Sequence, residues 1–199
     1  DLHPANTLSL HDALPIWVKL MKSLKNIIKE WLLPILVAII LVVLINNLLF
    51  FQVKVPSGSM YPTIKVGDRI LVTKVYNKAK LKSGDIIVFK SDELKEVLIK
   101  RLIGLPGDEV VVKDKGRVFI NGSEIAQPYV VNKEDLDIKF KVPENKYLFF
   151  GDNRASSLDA RKWENPYIDG KNIKGKAQFI TYPFKRFGKF VIGNDALNH

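Results

Sequence analysis

The sequence predicts a mainly β fold, with one N-terminal transmembrane helix followed by an extracytoplasmic, all-β domain. Three observations carry this. Residues 31–51, WLLPILVAIILVVLINNLLFF, contain no charge, and as a helix rising about 1.5 Å per residue they are ~31 Å long, the thickness of a bilayer core. Lys22, Lys25 and Lys29 precede the run, so the positive-inside bias puts the N-terminus in the cytoplasm and the remainder outside. Beyond Phe51 no segment sustains a helical period, whereas Gly-Asp turns leading into β-branched runs recur.

Taken in order, residues 1–20 (DLHPANTLSLHDALPIWVKL) show neither a targeting pattern nor a convincing helical period. They read as a non-native or unstructured leader and carry no functional argument. Residues 21–52, opening on Met21-Lys22-Ser23-Leu24-Lys25, form a cytoplasmic start and the span. No small-residue cleavage site is evident, so the span is expected to stay as an anchor. Residues 53–192 are one β-rich domain and 193–199 a tail. Within the domain VGDRILVTK from Val66, SGDIIVFK from Ser83 and PGDEVVVK from Pro106 are strands entered from tight turns. RVFINGSEI from Arg117 is a hairpin with Asn121-Gly122 at its tip, and YLFFGDN from Tyr147 and KAQFITYPF from Lys176 supply further strands.

The charge balance, 31 basic against 21 acidic residues and net +10, suits an anionic partner. No Arg-rich helix, zinc finger or aromatic RNA-binding signature accompanies it, so an anionic membrane surface is expected rather than nucleic acid. The absence of Cys excludes disulfides and thiol catalysis. The three histidines are His3, His11 and His199. Hydrolytic chemistry in the body of the chain therefore has no imidazole base, and neither a metal nor a cofactor is expected.

VPSGSMYPTI, from Val55, soon follows the span and sets two serines between prolines. These are ordinary turn residues, but a serine there is also a candidate nucleophile. Without histidine its base has to be a neutral lysine, which requires burial to bring the amine down from its usual pKa of about 10.4. In EVLIKRLIGLPGD, from Glu96, strand alternation puts Leu98, Lys100 and Leu102 on one face and Ile99, Arg101 and Ile103 on the other. Lys100 is therefore placed for desolvation, although many such lysines reach out to solvent, and the pattern alone leaves both outcomes open.

PSGSMYPTI, GDRILV, IKRLIGLPGDEV and GDNRASSLDAR, in this order behind one anchor, resemble the type I signal peptidases, nearest to the short single-anchor bacterial form. The likeness spans about residues 21–190. It implies a membrane-anchored serine endopeptidase that cuts signal peptides from exported preproteins after small residues (Ala-X-Ala) with a Ser/Lys dyad, and it leaves the translocation machinery as a candidate neighbour. Carried over by motif, Ser59 is the nucleophile and Lys100 the general base. The Ser59 N–H and the Ser57 hydroxyl form the oxyanion hole, and Ser157 hydrogen-bonds the lysine. Asp159 and Arg161 brace the site, with Asp152, Asn153 and Arg154 opening the same motif. Val53, Val55, Met60, Ile64 and Ile99 match the substrate-pocket positions. The family commonly has serine where this chain has Ala160, a departure in the bracing residues rather than the dyad. Self-cleaving repressors, which are soluble, fit the anchor poorly. Pilus-associated assembly factors are expected to lack the dyad.

Overall fold

The computed structural model describes residues 10–190, with side chains from Trp17. The chain divides into two compact units, Asp1–Leu48 and Leu49–His199.

In the first unit, helix α1 (Leu10–Ile27) passes through a π-helical turn (Ile28–Leu32) into α2 (Leu33–Leu49). The π turn immediately precedes Pro34. Leu33 N–H donates to the Ile28 carbonyl, a wider loop than the α-helical one, just ahead of a residue that has no N–H to donate. Trp17–Leu49 is 33 residues of helix, long and apolar enough to cross a membrane. Two expectations are corrected here. Residues 10–20 are helical rather than unstructured: from Trp17 the apolar positions Leu20, Leu24, Ile27 and Trp31 recur every three or four residues and continue into the span. The helix also ends at Leu49, so Phe50 and Phe51 belong not to the anchor but to a strand, where they pair with Thr73 and Val72. Aromatic side chains favour the pleated surface once backbone partners are available.

The second unit is built on two antiparallel sheets. Its strands are β1 (Phe50–Lys54), β2 (Arg69–Lys74), β3 (Ile86–Lys90), β4 (Val97–Gly104), β5 (Glu109–Lys113), β6 (Arg117–Ile120), β7 (Ser123–Glu124), β8 (Ile138–Lys141), β9 (Lys146–Phe150), β10 (Tyr167–Asp169) and β11 (Ile173–Tyr182). The larger sheet runs β1-β2-β11-β3-β4-β9-β10 and the smaller β7-β6-β5-β8. The expected hairpin is β6–β7, turning at Asn121 (φ 50°) and Gly122 (φ 85°), the left-handed pair that a tight two-residue loop demands. One core cluster gathers Ile87, Phe89, Leu102, Leu148, Phe149 and Phe150, with Phe89 and Phe149 stacked at 4.3 Å. A second gathers Val55, Met60, Ile64, Ile70, Val72 and Val88. β4 separates them, since Leu98 and Leu102 pack on the first and Ile99 on the second.

Candidate active site

β4 and the loop after β1 bring the candidate dyad together. Lys100 is opposite Ile87, and its neighbours at two residues' distance, Leu98 and Leu102, are opposite Phe89 and Phe149, so its stem stands on the first core's face as alternation predicted. The lysine is 4% exposed, and its Nζ donates to Ser59 Oγ at 2.5 Å. Burial is the largest influence on the amine and lowers its pKa to about 8, against the upward pull of Asp159 and Asp152.

Ser59 sits in a loop (residues 55–68) closed at its base by Val55 N–H to the Asp68 carbonyl (2.9 Å) and Gly67 N–H to the Val55 carbonyl (2.8 Å). The GDN motif grips the loop's middle: Asn153 N–H donates to the Ser59 carbonyl (3.1 Å) and Asn153 Nδ2 to the Gly58 carbonyl (3.2 Å). The Ser57 hydroxyl lies 3.4 Å from Ser59 Oγ. Gly151 is where the packing is tightest, because a Cβ there would collide with Ser157 Oγ and meet the Ser59 carbonyl at 2.6 Å.

Asp159 and Arg161 form a wholly buried fork. Arg161 Nε donates to Asp159 Oδ1 (2.9 Å) and Nη2 to Oδ2 (2.8 Å), while Asp159 Oδ2 also accepts Gly151 N–H (2.8 Å). Arg161 Nη1 continues to Glu134 (2.6 Å). Arg154, equally buried, donates through Nε to the Gly151 carbonyl (3.1 Å). Ala160 is buried in the first core, so its methyl lies among apolar neighbours. Two expected roles are not met. The Ser157 hydroxyl is buried but has no hydrogen-bond partner, so the bond to Lys100 is not formed. Met60 and Ile64 are fully buried in the second core and do not line the cleft described below, for which they form an underlying layer.

That cleft, of about 370 Å³, is lined by Val53, Val55, Val88, Leu98 and Ile99 together with Ser57, Ser59, Lys100, Glu96 and Val97. Its walls are two strand edges. Among the described residues β1 pairs only with β2, and Val97–Lys100 of β4 pair only with β3, because β9 joins β4 from Arg101 onward.

Sequence reasoning missed a second buried ion pair. Arg101 binds Asp152 through Nε (2.8 Å) and Nη2 (2.6 Å), Thr63 Oγ1 donates to Asp152 Oδ2 (2.6 Å), and the guanidinium lies 3.7 Å from the Tyr129 ring centre. An arginine alternating with a desolvated lysine was the available signal, since a buried guanidinium requires an acid.

A cleft flanked by two strand edges and lined by a buried, hydrogen-bonded serine and lysine suits a serine peptidase. The family model described as signal peptidase, peptidase S26, matches residues 28–182. Signal peptidase I of Bacillus licheniformis is 38% identical over 177 residues, 83% of this chain and 94% of the relative. Signal peptidase I T of Bacillus subtilis (strain 168) is 37% identical over 178 residues, 83% and 91%. A crystal structure of a signal peptidase I from Enterococcus faecalis V583 covers 49% of this chain and 96% of its own, with 30% identity and a TM-score of 0.43. The chain belongs to the signal peptidase family S26 and is a serine peptidase of signal peptides. Its N-terminal apolar helix agrees with a membrane-anchored protein.

Proposed function

We propose that the chain cleaves preproteins by a Ser59/Lys100 dyad, after small residues at the first and third positions before the cut bond. The observation that carries this is the Lys100–Ser59 hydrogen bond in the wall of the open-edged cleft. Neutral Lys100 takes the Ser59 hydroxyl proton as Oγ attacks the scissile carbonyl. The Ser59 N–H and Ser57 hydroxyl meet the developing oxyanion, where one such donor is worth roughly 10²–10³ in rate. The mature chain's amine then leaves with the proton from Lys100. A water, deprotonated by Lys100 in turn, releases the signal peptide from its ester with Ser59. Asp159–Arg161 and Arg101–Asp152 hold the two backbones in register.

The signal peptide binds extended, its backbone adding to the free edges of Val53–Val55 and Leu98–Lys100. Alternate side chains enter the space bounded by Val53, Val55, Val88 and Ile99, with Met60 and Ile64 packed rigidly behind, so larger residues clash. The Lys22–Lys29 end faces the cytoplasm and the β domain acts at the outer bilayer surface, where tethering raises the effective concentration of membrane-held substrate. Purified protein incubated with a preprotein should release a mature chain whose new N-terminus follows Ala-X-Ala, and Ser59→Ala should release none. Cleavage retained in Ser59→Ala, or after a large residue, would overturn the corresponding part.

A further inference from the structure

We propose that Arg186 is a positioning residue for cleavage, clamping the Ser59 loop from a segment beyond the family match. It rests on Ser59 being the nucleophile. The matched region ends at residue 182, and the next turn, Phe184–Arg186, doubles back. Ile180 and Gly188 exchange backbone hydrogen bonds (2.8 and 3.0 Å), which pins the return to β11. Phe184 and Phe187 on this turn are exposed, whereas the Arg186 side chain is 13% exposed. It points inward. Its Nη2 donates to the Thr63 carbonyl (3.1 Å) and pairs with Asp68 Oδ2 (3.3 Å), an oxygen that also accepts Lys65 N–H (2.8 Å).

One guanidinium thus holds the loop at two points, four and nine residues past Ser59. Thr63 is thereby held by its carbonyl as well as by the hydroxyl that Asp152 takes, while Asp68 is distinct from Ser59 and Gly58, the points Asn153 reaches. Asp68 is also the residue whose carbonyl closes the loop on Val55. Its carboxyl is buried, which raises its pKa, and the Lys65 N–H and then the Arg186 charge oppose that. Without the arginine this desolvated acid would keep the Lys65 N–H but lose its ion pair where the loop is closed. Arg186 itself lines no part of the cleft, so Val53 on β1 and Ile99 on β4 keep the substrate while Ser59 Oγ loses its aim.

The test uses the full chain in detergent or liposomes with a preprotein. Arg186→Ala should lower kcat by about 10- to 100-fold, the scale of a small misplacement of a reacting group, with KM within about twofold. Arg186→Lys, which keeps a cation for Asp68, should recover much of the rate. Lys185→Ala, the neighbouring exposed cation, should behave as the parent. Backbone amides of residues 55–68 should exchange faster in Arg186→Ala, with those of β3, β4 and β9 unchanged. A kcat within about twofold of the parent would overturn the proposal, as would a loss accompanied by faster exchange in every strand, which is general destabilisation. Activity in Ser59→Ala would instead remove the nucleophile assignment beneath it.

Discussion

The proposed dyad chemistry turns on how Lys100 is kept neutral, and Leu98→Ser tests it. Leu98 lies on the lysine's face of β4, is half-buried and lines the cleft, so a serine there admits water towards the amine. Leu102, on the other flank, is fully buried opposite Phe149, and truncating it would cost about 2–5 kcal/mol of stability, confusing the readout. Lowering the amine from 10.5 to about 8 corresponds to roughly 3 kcal/mol at about 1.4 per pH unit. It raises the neutral fraction at pH 7 from about one in 3,000 to about one in ten. In a kcat/KM profile from pH 6 to 10.5, the parent should rise with an apparent pKa near 8. Restoring a fraction of the solvation should move this limb about 0.5–1 unit alkaline. Leu98→Ser should therefore be about 3- to 10-fold slower at pH 7 and approach the parent above the limb. A loss equal at every pH would refute burial as the cause, and a parent without a rising limb between pH 7 and 9 would refute Lys100 as the base.

Lys100→Arg should cleave no preprotein at any pH from 6 to 10, because guanidinium does not deprotonate there; processing visible on a gel would refute the dyad. Lys100→Met should stabilise the fold near pH 7 by about 2–3 kcal/mol in denaturant unfolding. The sign follows from a folded pKa below the unfolded one: the protonated lysine disfavours the fold below about pH 8, and the penalty disappears as pH rises towards 10.5, so the gain should vanish there. Asp152→Ala should lower unfolding stability by about 3–5 kcal/mol, since it strands the buried Arg101 cation. Protease added outside cells after wall removal should degrade the domain beyond Phe50 and spare the Lys22–Lys29 end; protection of the domain would reverse the topology.

Most strands were legible because Gly-Asp turns punctuate β-branched runs, and Gly67, Gly84 and Gly107 all adopt the positive φ such turns require. The helix–strand boundary was not, because Phe50-Phe51 extends an apolar run that suits either state until β2 supplies hydrogen-bond partners. The short β8 and β10 carry little local signal and are set by pairing with β5 and β9. At the site, alternation placed Lys100 on the correct face of β4. The acid for Arg101 lies 51 residues away along the chain and the threonine beside it 38, and Arg186 reaches Thr63 across 123. Side-chain periodicity reports which face a residue occupies, not which distant loop meets it there.

Burial wins at Lys100 despite two nearby carboxylates, and both acids are paired with arginines, of which Arg161 acts on the amine directly. Asp159 and Asp152 both favour the ammonium, and an unpaired acid in a desolvated site would hold the proton firmly. Each acid is already committed to an arginine, Asp159 to Arg161 and Asp152 to Arg101, through two hydrogen bonds apiece. The Arg161 charge acts on the lysine in the opposite sense to Asp159. With Arg161 opposing Asp159, desolvation remains the largest influence on the amine. The same pairs fix GDN and β4 around the loop, so the residues that hold the serine and lysine together also leave the lysine free to lose its proton. In a chain whose β domain has no histidine among residues 49–190, that double use would suit the amine to the proposed role of base near neutral pH.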